Sequence, residues 1–488
     1  MLSAARALGV SIVKVTVHWN QVAPNPRSFR APRHFNAAGP GAYPASSWRF
    51  LDSVVEQAHA DGLHVGFMLT SPAPLWATGG GMPHTSNCPC GQWKPSPRAF
   101  NAFATAVGRR YSGSYTPAGA ASPLPRVSWW SIWNEPNYGP DLAPQATDHD
   151  RLELSPGTYR ALLGAGWRGL GSSGHTIHRD TILFGETAPR GLDHPIGNFS
   201  GIKPLRFLRV LYCVDGRYRP LRGRSASLRG CPSTSTGSRS FRAHNPALFD
   251  ASGFADHPYA QGTPPNLPTY GCGKTFCVNR RTRRSDPAYA DFAVIPRLQR
   301  TLDRLVSIYG SHRRFPIWNT EFGYWTKPPN RARGAISPTT AAYYMNWAEY
   351  LSYRNPRIAS YAQYMLVDPQ DGKFAQGLEF SNGRRLATFA AFQLPLYLPA
   401  TSTRAGSPLT VWGAVRPAPY QLTPAVAQIQ FRPRTRPTWA TVDAVPVTNP
   451  RGYFDTRVAF PSSGSVRIAW TADDGSTQFS RTQSVTVR

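Results

Sequence analysis

Short apolar runs alternate with longer amphipathic stretches over the first 396 residues of the chain. The apolar runs predict seven strands, at residues 12–19, 63–69, 127–133, 181–185, 253–256, 315–320 and 358–366. Stretches with helical periodicity follow them, at residues 47–61, 96–111, 156–170, 204–214, 287–309, 339–353 and 386–393. Such alternation is typical of βαβ units around a parallel sheet. We therefore predict an α/β fold of the (β/α)8 barrel type over residues 1–396.

A closed barrel of this type needs eight strands, one more than the pattern contains. The chain opens with an apolar helical stretch at residues 2–8 that Gly9 ends. A strand should come before that helix, and no signal peptide is recognisable after Met1. We therefore expect that residues upstream of Met1 hold the first strand and a signal peptide.

The pattern changes to strict alternation after Pro399. Ala427, Ile429 and Phe431 alternate with polar residues, and the segment near Trp470 does the same. Period-two runs separated by Pro, Gly and Asn predict an antiparallel β-sandwich of the immunoglobulin-like type over residues 405–488. Because it lacks an obvious aromatic stripe, we expect it to buttress the barrel, with glycan binding as the alternative.

The chain is strongly basic, with 54 Lys and Arg against 26 Asp and Glu and a formal net charge of +28. A charge of this size suggests a polyanionic partner. However, only six of the basic residues are lysine, and an arginine excess often reflects a GC-rich genome. Because no dense basic run is interleaved with aromatic residues, we expect no nucleic-acid partner, whereas an acidic carbohydrate stays possible.

Six cysteines occur in loop-like sequence as three local pairs: Cys88 and Cys90, Cys213 and Cys231, Cys272 and Cys277. An even number of cysteines in such loops favours disulfides and a secreted or extracytoplasmic location. Fifteen connectivities are possible, so pairing of neighbours is a hypothesis. No apolar run is long enough to cross a bilayer. We expect a monomer with no membrane partner.

Two glutamates stand where predicted strands end. Glu135 follows the strand at 127–133, and Glu321 follows the strand at 315–320. In a (β/α)8 barrel the C-terminal ends of the strands carry the chemistry. A pair of carboxyl groups is what glycoside hydrolysis requires, one as acid and base and one as nucleophile.

The sequences around both glutamates resemble clan A glycoside hydrolases, closest to families 39 and 5, which are TIM-barrel retaining glycosidases. The matching motifs are WNEP at 133–136, HPY at 257–259 and TEFG at 320–323, and the resemblance covers residues 1–396. It implies that Glu135 is the general acid/base and Glu321 the nucleophile. In the clan these glutamates end strands four and seven, whereas here the strands are the third and sixth counted. This displacement agrees with a missing first strand.

The resemblance also implies substrate-binding residues. Asn134 would bind the sugar 2-hydroxyl, and His257 and Tyr259 would lie beside the pair, with Tyr259 hydrogen-bonded to Glu321. Strand tips and nearby loops supply further candidates, namely His18, Trp19, Trp76, Glu186 and Trp325. One departure concerns strand eight, where many relatives place a tryptophan that floors the sugar site. Here Tyr361, Gln363 and Tyr364 occupy that stretch.

The sequence thus predicts a secreted retaining glycosidase that cleaves a β-linked glycosidic bond by double displacement, with no metal or organic cofactor. The first alternative is a catalytically silent carbohydrate-binding barrel, which would share the aromatic cleft. The second is a polyanion-binding protein, which rests on charge alone. The sugar and the choice between exo and endo action are set by long loops that carry no interpretable pattern.

Overall fold

Seven strands form one curved parallel sheet. The computed structural model describes residues 1–83, 90–147, 152–193, 195, 197–272, 275–277, 286–332, 334–418, 425–472 and 475–488, with only the backbone described at 270–272 and 275–277. The strands up to residue 360 are β1 (Ile12–His18), β2 (His64–Thr70), β3 (Trp129–Ile132), β4 (Thr181–Thr187), β5 (Gly253–Asp256), β6 (Tyr270–Cys272), β7 (Thr275–Cys277), β8 (Ile317–Asn319) and β9 (Ile358–Ser360). The sheet order is β1-β2-β3-β4-β5-β8-β9, while β6 and β7 form a separate hairpin.

All neighbouring strands of this sheet run parallel and follow one another in chain order. The predicted α/β class with a parallel sheet is therefore confirmed. Closure into an eight-stranded barrel, with a further strand upstream of Met1, stays a prediction. The last strand is shorter than predicted. It ends at Ser360 rather than residue 366, because the chain then turns so that the Tyr364 amide bonds to the Phe322 carbonyl.

Helices connect the strands. They are α1 (Leu2–Ala7), α2 (Trp19–Val22), α3 (Ala45–Ala60), α4 (Pro97–Arg110), α5 (Ser155–Ser172), α6 (Pro204–Leu211), α7 (Gly223–Leu228), α8 (Ser235–Arg239), α9 (Phe241–His244), α10 (Ile295–Ser307), α11 (Pro338–Tyr353) and α12 (Ala387–Gln393). Ser96 and Ser337 cap α4 and α11 with a side-chain oxygen, each followed by a proline at the first helical position. Among the described residues, no helix is long and apolar enough to span a bilayer.

Sheets that are antiparallel apart from the β11–β18 pair form the C-terminal region. Its strands are β10 (Leu396–Tyr397), β11 (Ser402–Thr403), β12 (Leu409–Ala414), β13 (Ala425–Pro433), β14 (Ala440–Val447), β15 (Tyr453–Val458), β16 (Gly464–Thr471), β17 (Thr477–Phe479) and β18 (Gln483–Val487). β10, β12 and β15 form a smaller sheet, and the others form a larger one. Val411 and Phe454 of the smaller sheet share one buried core with Ile429 and Ile468 of the larger. The immunoglobulin-like topology and the boundary at residue 405 stay predictions.

Helix α11 meets the C-terminal sheets through aromatic rings. Trp347 stacks on Tyr397 with ring centroids 5.8 Å apart, and Tyr350 meets Trp412 edge-on at 5.6 Å. Arg416 of the C-terminal region forms a buried ion pair with Glu349 of α11. Contacts of this kind agree with the expected buttress.

One of the three predicted cysteine pairs is a disulfide in the structure. Cys213 and Cys231 are bonded, with their Cα atoms 5.5 Å apart, and join the end of α6 to the segment after α7. The predicted partner of Cys90, Cys88, lies outside the described residues. Cys272 and Cys277 lie on the β6–β7 hairpin, where only the backbone is described.

Candidate active site

The chain leaves β3 in a conformation that L-residues seldom adopt. Trp133 and Glu135 have φ values of 71° and 33°, and strain of this kind collects at functional sites. Two backbone hydrogen bonds fix the turn. The Trp133 amide donates to Leu69 of β2 at 2.8 Å, and the Glu135 amide donates to Glu186 of β4 at 2.9 Å. Glu135 is thereby held at the C-terminal edge of the sheet.

Three glutamates meet at one histidine directly after β5. His257 is fully buried, and its Nδ1 lies 3.0 Å from Glu135 Oε1 and 3.5 Å from Glu321 Oε2. Its Nε2 lies 2.5 Å from Glu186 Oε2. Burial alone would lower the pKa of His257, but the charge of Glu321 and the hydrogen bonds to the other two carboxylates raise that pKa to about 10. His257 is therefore an imidazolium at neutral pH, with an N–H on each ring nitrogen.

Lys14 supplies the second cation from the middle of β1. Its Nζ donates to Glu186 Oε2 at 2.9 Å and to Glu321 Oε1 at 3.0 Å. Burial would lower the pKa of Lys14, but these two carboxylates outweigh it and raise that pKa. No motif pointed to Lys14. The usable signal was a single lysine inside a mostly apolar strand, because such a charge needs a partner in the interior.

Glu321 is held as a carboxylate. Its Oε2 accepts a hydrogen bond of 3.0 Å from the Tyr259 hydroxyl, while Lys14 binds the other oxygen. Burial would raise the pKa of Glu321, but the charges of His257 and Lys14 outweigh burial and lower it. Burial and the Glu321 charge raise the pKa of Tyr259 well above its usual value, so its hydroxyl stays a donor. An ionised carboxylate oriented by several donors is suited to nucleophilic attack.

Glu135 and Glu321 are close to each other and reach solvent. Their side chains are 18% and 13% exposed. An oxygen of each lies beside the same nitrogen of His257, so these two oxygens are at most about 6.5 Å apart, the distance at which the range typical of inverting glycosidases begins. The pair can therefore act on one bond from two sides.

Glu186 does not fit its predicted role. It was expected to hydrogen-bond a substrate hydroxyl, but its side chain is fully buried. Its Oε2 instead accepts from Lys14, His257 and the Thr320 hydroxyl, the last at 2.6 Å. Burial would raise its pKa, but Lys14 and His257 lower it far below its usual value. Glu186 therefore holds Lys14 and His257 in place through its buried carboxylate.

Asn134 is turned toward a carboxylate that the sequence did not single out. Its Nδ2 donates to Asp141 Oδ1 at 2.9 Å, and its Oδ1 is buried without a partner among the described residues. Burial and the nearby charge of Glu135 raise the pKa of Asp141 to about 7. The amide oxygen of Asn134 is therefore the atom that could accept a hydrogen bond from a substrate hydroxyl.

An aromatic wall adjoins Glu321. Tyr259 meets Tyr364 and Phe374 edge-on at centroid distances of 6.3 and 5.5 Å, and Phe374 meets Trp325 at 5.6 Å. Phe374 is 41% exposed. This places the predicted Trp325 at the outer end of the wall, while Tyr364 contacts both Tyr259 and Phe374. Phe374 was not recognisable because it lies 53 residues after Glu321, in a loop.

The other three predicted residues form a separate cluster. His18 Nδ1 lies 2.6 Å from the Ser71 carbonyl, and Trp76 donates to the Pro24 carbonyl at 3.0 Å. Trp19 is fully buried and stacks on Phe103. Trp19 therefore has no surface free for substrate, which corrects the prediction. No described contact joins the three to the cluster around His257.

Comparisons with known proteins give no family assignment. No protein-family model matches the chain, and no curated protein matches it. Among solved structures, a family 1 β-glucosidase from Thermotoga maritima aligns over 80% of this chain and 83% of its own at 12% identity, with a TM-score of 0.43. The same enzyme with isofagomine lactam gives 0.44. A superoxide reductase from Ignicoccus hospitalis aligns with 20% of this chain and 80% of its own at 15% identity and a TM-score of 0.17. What the site does must therefore be argued from its own geometry.

Proposed function

We propose that the protein is a retaining glycoside hydrolase built on a (β/α)8 barrel and active outside the cytoplasm. The observation that carries the proposal is the ionised Glu321, bound by Lys14 and Tyr259, with Glu135 across the same His257 nitrogen. The bound substrate would be a β-linked glycoside or polysaccharide, and the resemblance to families 39 and 5 points the same way.

In the first step Glu135 protonates the leaving oxygen as Glu321 attacks the anomeric carbon. The C–O bond breaks, an ester forms with Glu321, and the sugar passes through an oxocarbenium-like transition state. In the second step Glu135 takes a proton from water, and that water displaces Glu321. Hydrogen bonds from Lys14 and Tyr259 stabilise the negative charge that returns to Glu321 when the ester breaks.

His257 links the two carboxylates electrostatically. Its Nδ1–H faces both, so the imidazolium favours whichever of them is charged at that moment. Glu321 is charged before attack, and Glu135 is charged while the ester exists. One fixed cation can therefore stabilise both halves of the cycle.

The test is hydrolysis of a panel of aryl β-glycosides that differ in sugar. Glu321→Gln and Glu135→Gln should each lower kcat/KM by about 10³-fold or more, because each removes a reacting group. Glu56→Gln, an exposed glutamate of α3, is the matched control and should be unchanged.

Stereochemistry decides the mechanism. Proton NMR of the first product should show the β-anomer, and azide should rescue Glu321→Gly with formation of the α-glycosyl azide. A first product with inverted configuration would contradict double displacement. Binding of glycans without turnover of any of them would favour the silent carbohydrate-binding barrel.

A further inference from the structure

The outer face of the larger C-terminal sheet carries an unusual set of side chains. On β13 the apolar residues point into the core, so Gln430 and Arg432 lie on the opposite face. Gln430 is paired in register with Arg467 of β16, and Phe479 of β17 follows next to it across the sheet. Amide, guanidinium and aromatic groups therefore meet on three adjacent strands.

Arg467 is held between two aromatic rings. Its guanidinium carbon lies 3.8 Å from the ring centroid of Phe479 and 4.3 Å from that of Trp439. Its Nε donates to Gln430 Oε1 at 2.9 Å. The guanidinium carbon of Arg432 lies 4.9 Å from the ring centroid of the same Trp439. These contacts fix the guanidinium groups on the surface and leave Phe479 41% exposed.

Neither guanidinium group has an anionic partner among the residues that the structure describes. In the described part of the chain, neither Arg432 nor Arg467 has a carboxylate oxygen within 4.0 Å, whereas Arg110, Arg357 and Arg416 each pair with one. Two arginines brought to the same tryptophan repel each other unless an anion lies between them. Guanidinium groups bind carboxylates and sulfates through paired N–H donors.

We propose that this face, the cationic platform of Gln430, Arg432, Trp439, Arg467 and Phe479, binds an acidic polysaccharide. The arginines would pair with uronate carboxylates, the rings would stack on sugar faces, and the amide would bind hydroxyls. The platform shares no residue with the candidate active site and goes beyond the proposed function. It also revises the expectation that the C-terminal region only buttresses. Trp439 and Phe479 are 40 residues apart in sequence and both contact Arg467, so the sequence shows no aromatic stripe.

The test measures binding by the full-length chain with Glu321→Gln, which stops turnover. The probe is a polygalacturonate oligomer of about ten sugars, titrated calorimetrically at low salt. Adding Arg432→Gln and Arg467→Gln together should weaken binding at least about tenfold, because charge-assisted hydrogen bonds are lost. The matched control, Arg451→Gln with Arg457→Gln, removes two exposed arginines at β15 of the smaller sheet and should change binding by less than about twofold.

Further probes separate the alternatives. The methyl-esterified oligomer keeps the sugar rings without the charge and should bind at least about tenfold more weakly. Phe479→Ser tests the platform if the double variant does not fold, and it should weaken binding as well. Equal losses in the control variant would overturn the proposal, as would tight binding of single-stranded DNA that depends on the same two arginines. Failure of the platform leaves hydrolysis of small aryl glycosides untouched, so it is distinguishable from failure of the proposed function.

Discussion

Two regions bury charged side chains, and they do so differently. Around His257, two cations and three carboxylates share hydrogen bonds, and the outer carboxylates stay in contact with solvent. At the junction of α11 with the C-terminal sheets, a single ion pair between Arg416 and Glu349 lies among stacked aromatic rings. The first region contains five ionisable groups in mutual contact, whereas the second contains one ion pair enclosed by aromatic rings.

This difference separates catalysis from stability. Breaking a buried pair destabilises a protein, while a pair in place adds little compared with well-packed apolar groups. A network in which each charge has several partners can lose one member and stay folded. We therefore expect substitutions in the His257 network to lower activity with little loss of stability, and substitutions at the junction to do the reverse.

Lys14→Met gives the largest expected effect. It removes a donor from Glu321 and half of the charge that lowers the pKa of that carboxyl, so kcat/KM should fall about 10³-fold. The pKa of Glu321 should rise, and the acidic limb of the pH profile of kcat/KM should move to higher pH.

Lys14→Arg is the control, since it keeps the charge, and it should retain activity within about tenfold. The melting temperature of Lys14→Met should stay near that of the unchanged protein. A full loss of folding, or an unchanged acidic limb, would show that Lys14 is structural.

Arg416→Met tests the junction. It leaves Glu349 buried with the Tyr453 hydroxyl, 2.9 Å away, as its remaining described donor, so the free energy of unfolding should fall by about 3 kcal/mol. kcat and KM on small glycosides should be unchanged. Pairing it with Glu349→Gln should recover part of the loss, measured by denaturant titration. A loss of activity without a loss of stability would mean that the junction contributes to catalysis rather than to stability.

The fold was predictable where local pattern suffices. Every strand of the parallel sheet lies within or next to a predicted segment, because buried parallel strands are continuous apolar runs. The prediction at 358–366 was too long. Tyr361 and Tyr364 are residue types common in strands, but here the chain turns and both lie near Phe322. Turns that depend on distant partners leave little trace in local sequence.

The candidate site was predictable only in part. Short motifs marked Glu135, Glu321 and Tyr259, because these residues follow strand ends. Lys14 and Phe374 lie outside these motifs. Lys14 left only the weak signal of a charge inside a strand, and Phe374 is recognisable only by what it contacts. Trp19 was misassigned because an aromatic residue at a strand end can face either the cleft or the helices outside the sheet.

Glu186→Gln should have an intermediate effect. Glu186 is one of the carboxylates that raise the pKa of His257 to about 10. Without it that pKa falls, so the His257 imidazolium should lose its proton at lower pH, and kcat/KM should drop about 10²-fold. Thr320→Val removes a neutral donor to the same oxygen and should cost less. An NMR titration of His257 that stays in place would contradict this role of Glu186.

The smallest effect is expected behind the network, at Asp256. Burial raises the pKa of this carboxyl to about 8, and one of its oxygens has no partner among the described residues. In the unfolded chain it releases its proton near pH 4, so the folded protein must keep a proton that the unfolded chain has lost, and stability falls as pH rises from about 4 to about 8. Asp256→Asn mimics the neutral form and should lack this loss, so its free energy of unfolding relative to the unchanged protein should rise from pH 4 to pH 8. Urea titrations at pH 4 and pH 8 measure the difference in the free energy of unfolding between the variant and the unchanged protein. The same difference at both pH values would mean that Asp256 is ionised in the folded protein. The interior of the sheet would then tolerate a charge outside the His257 network.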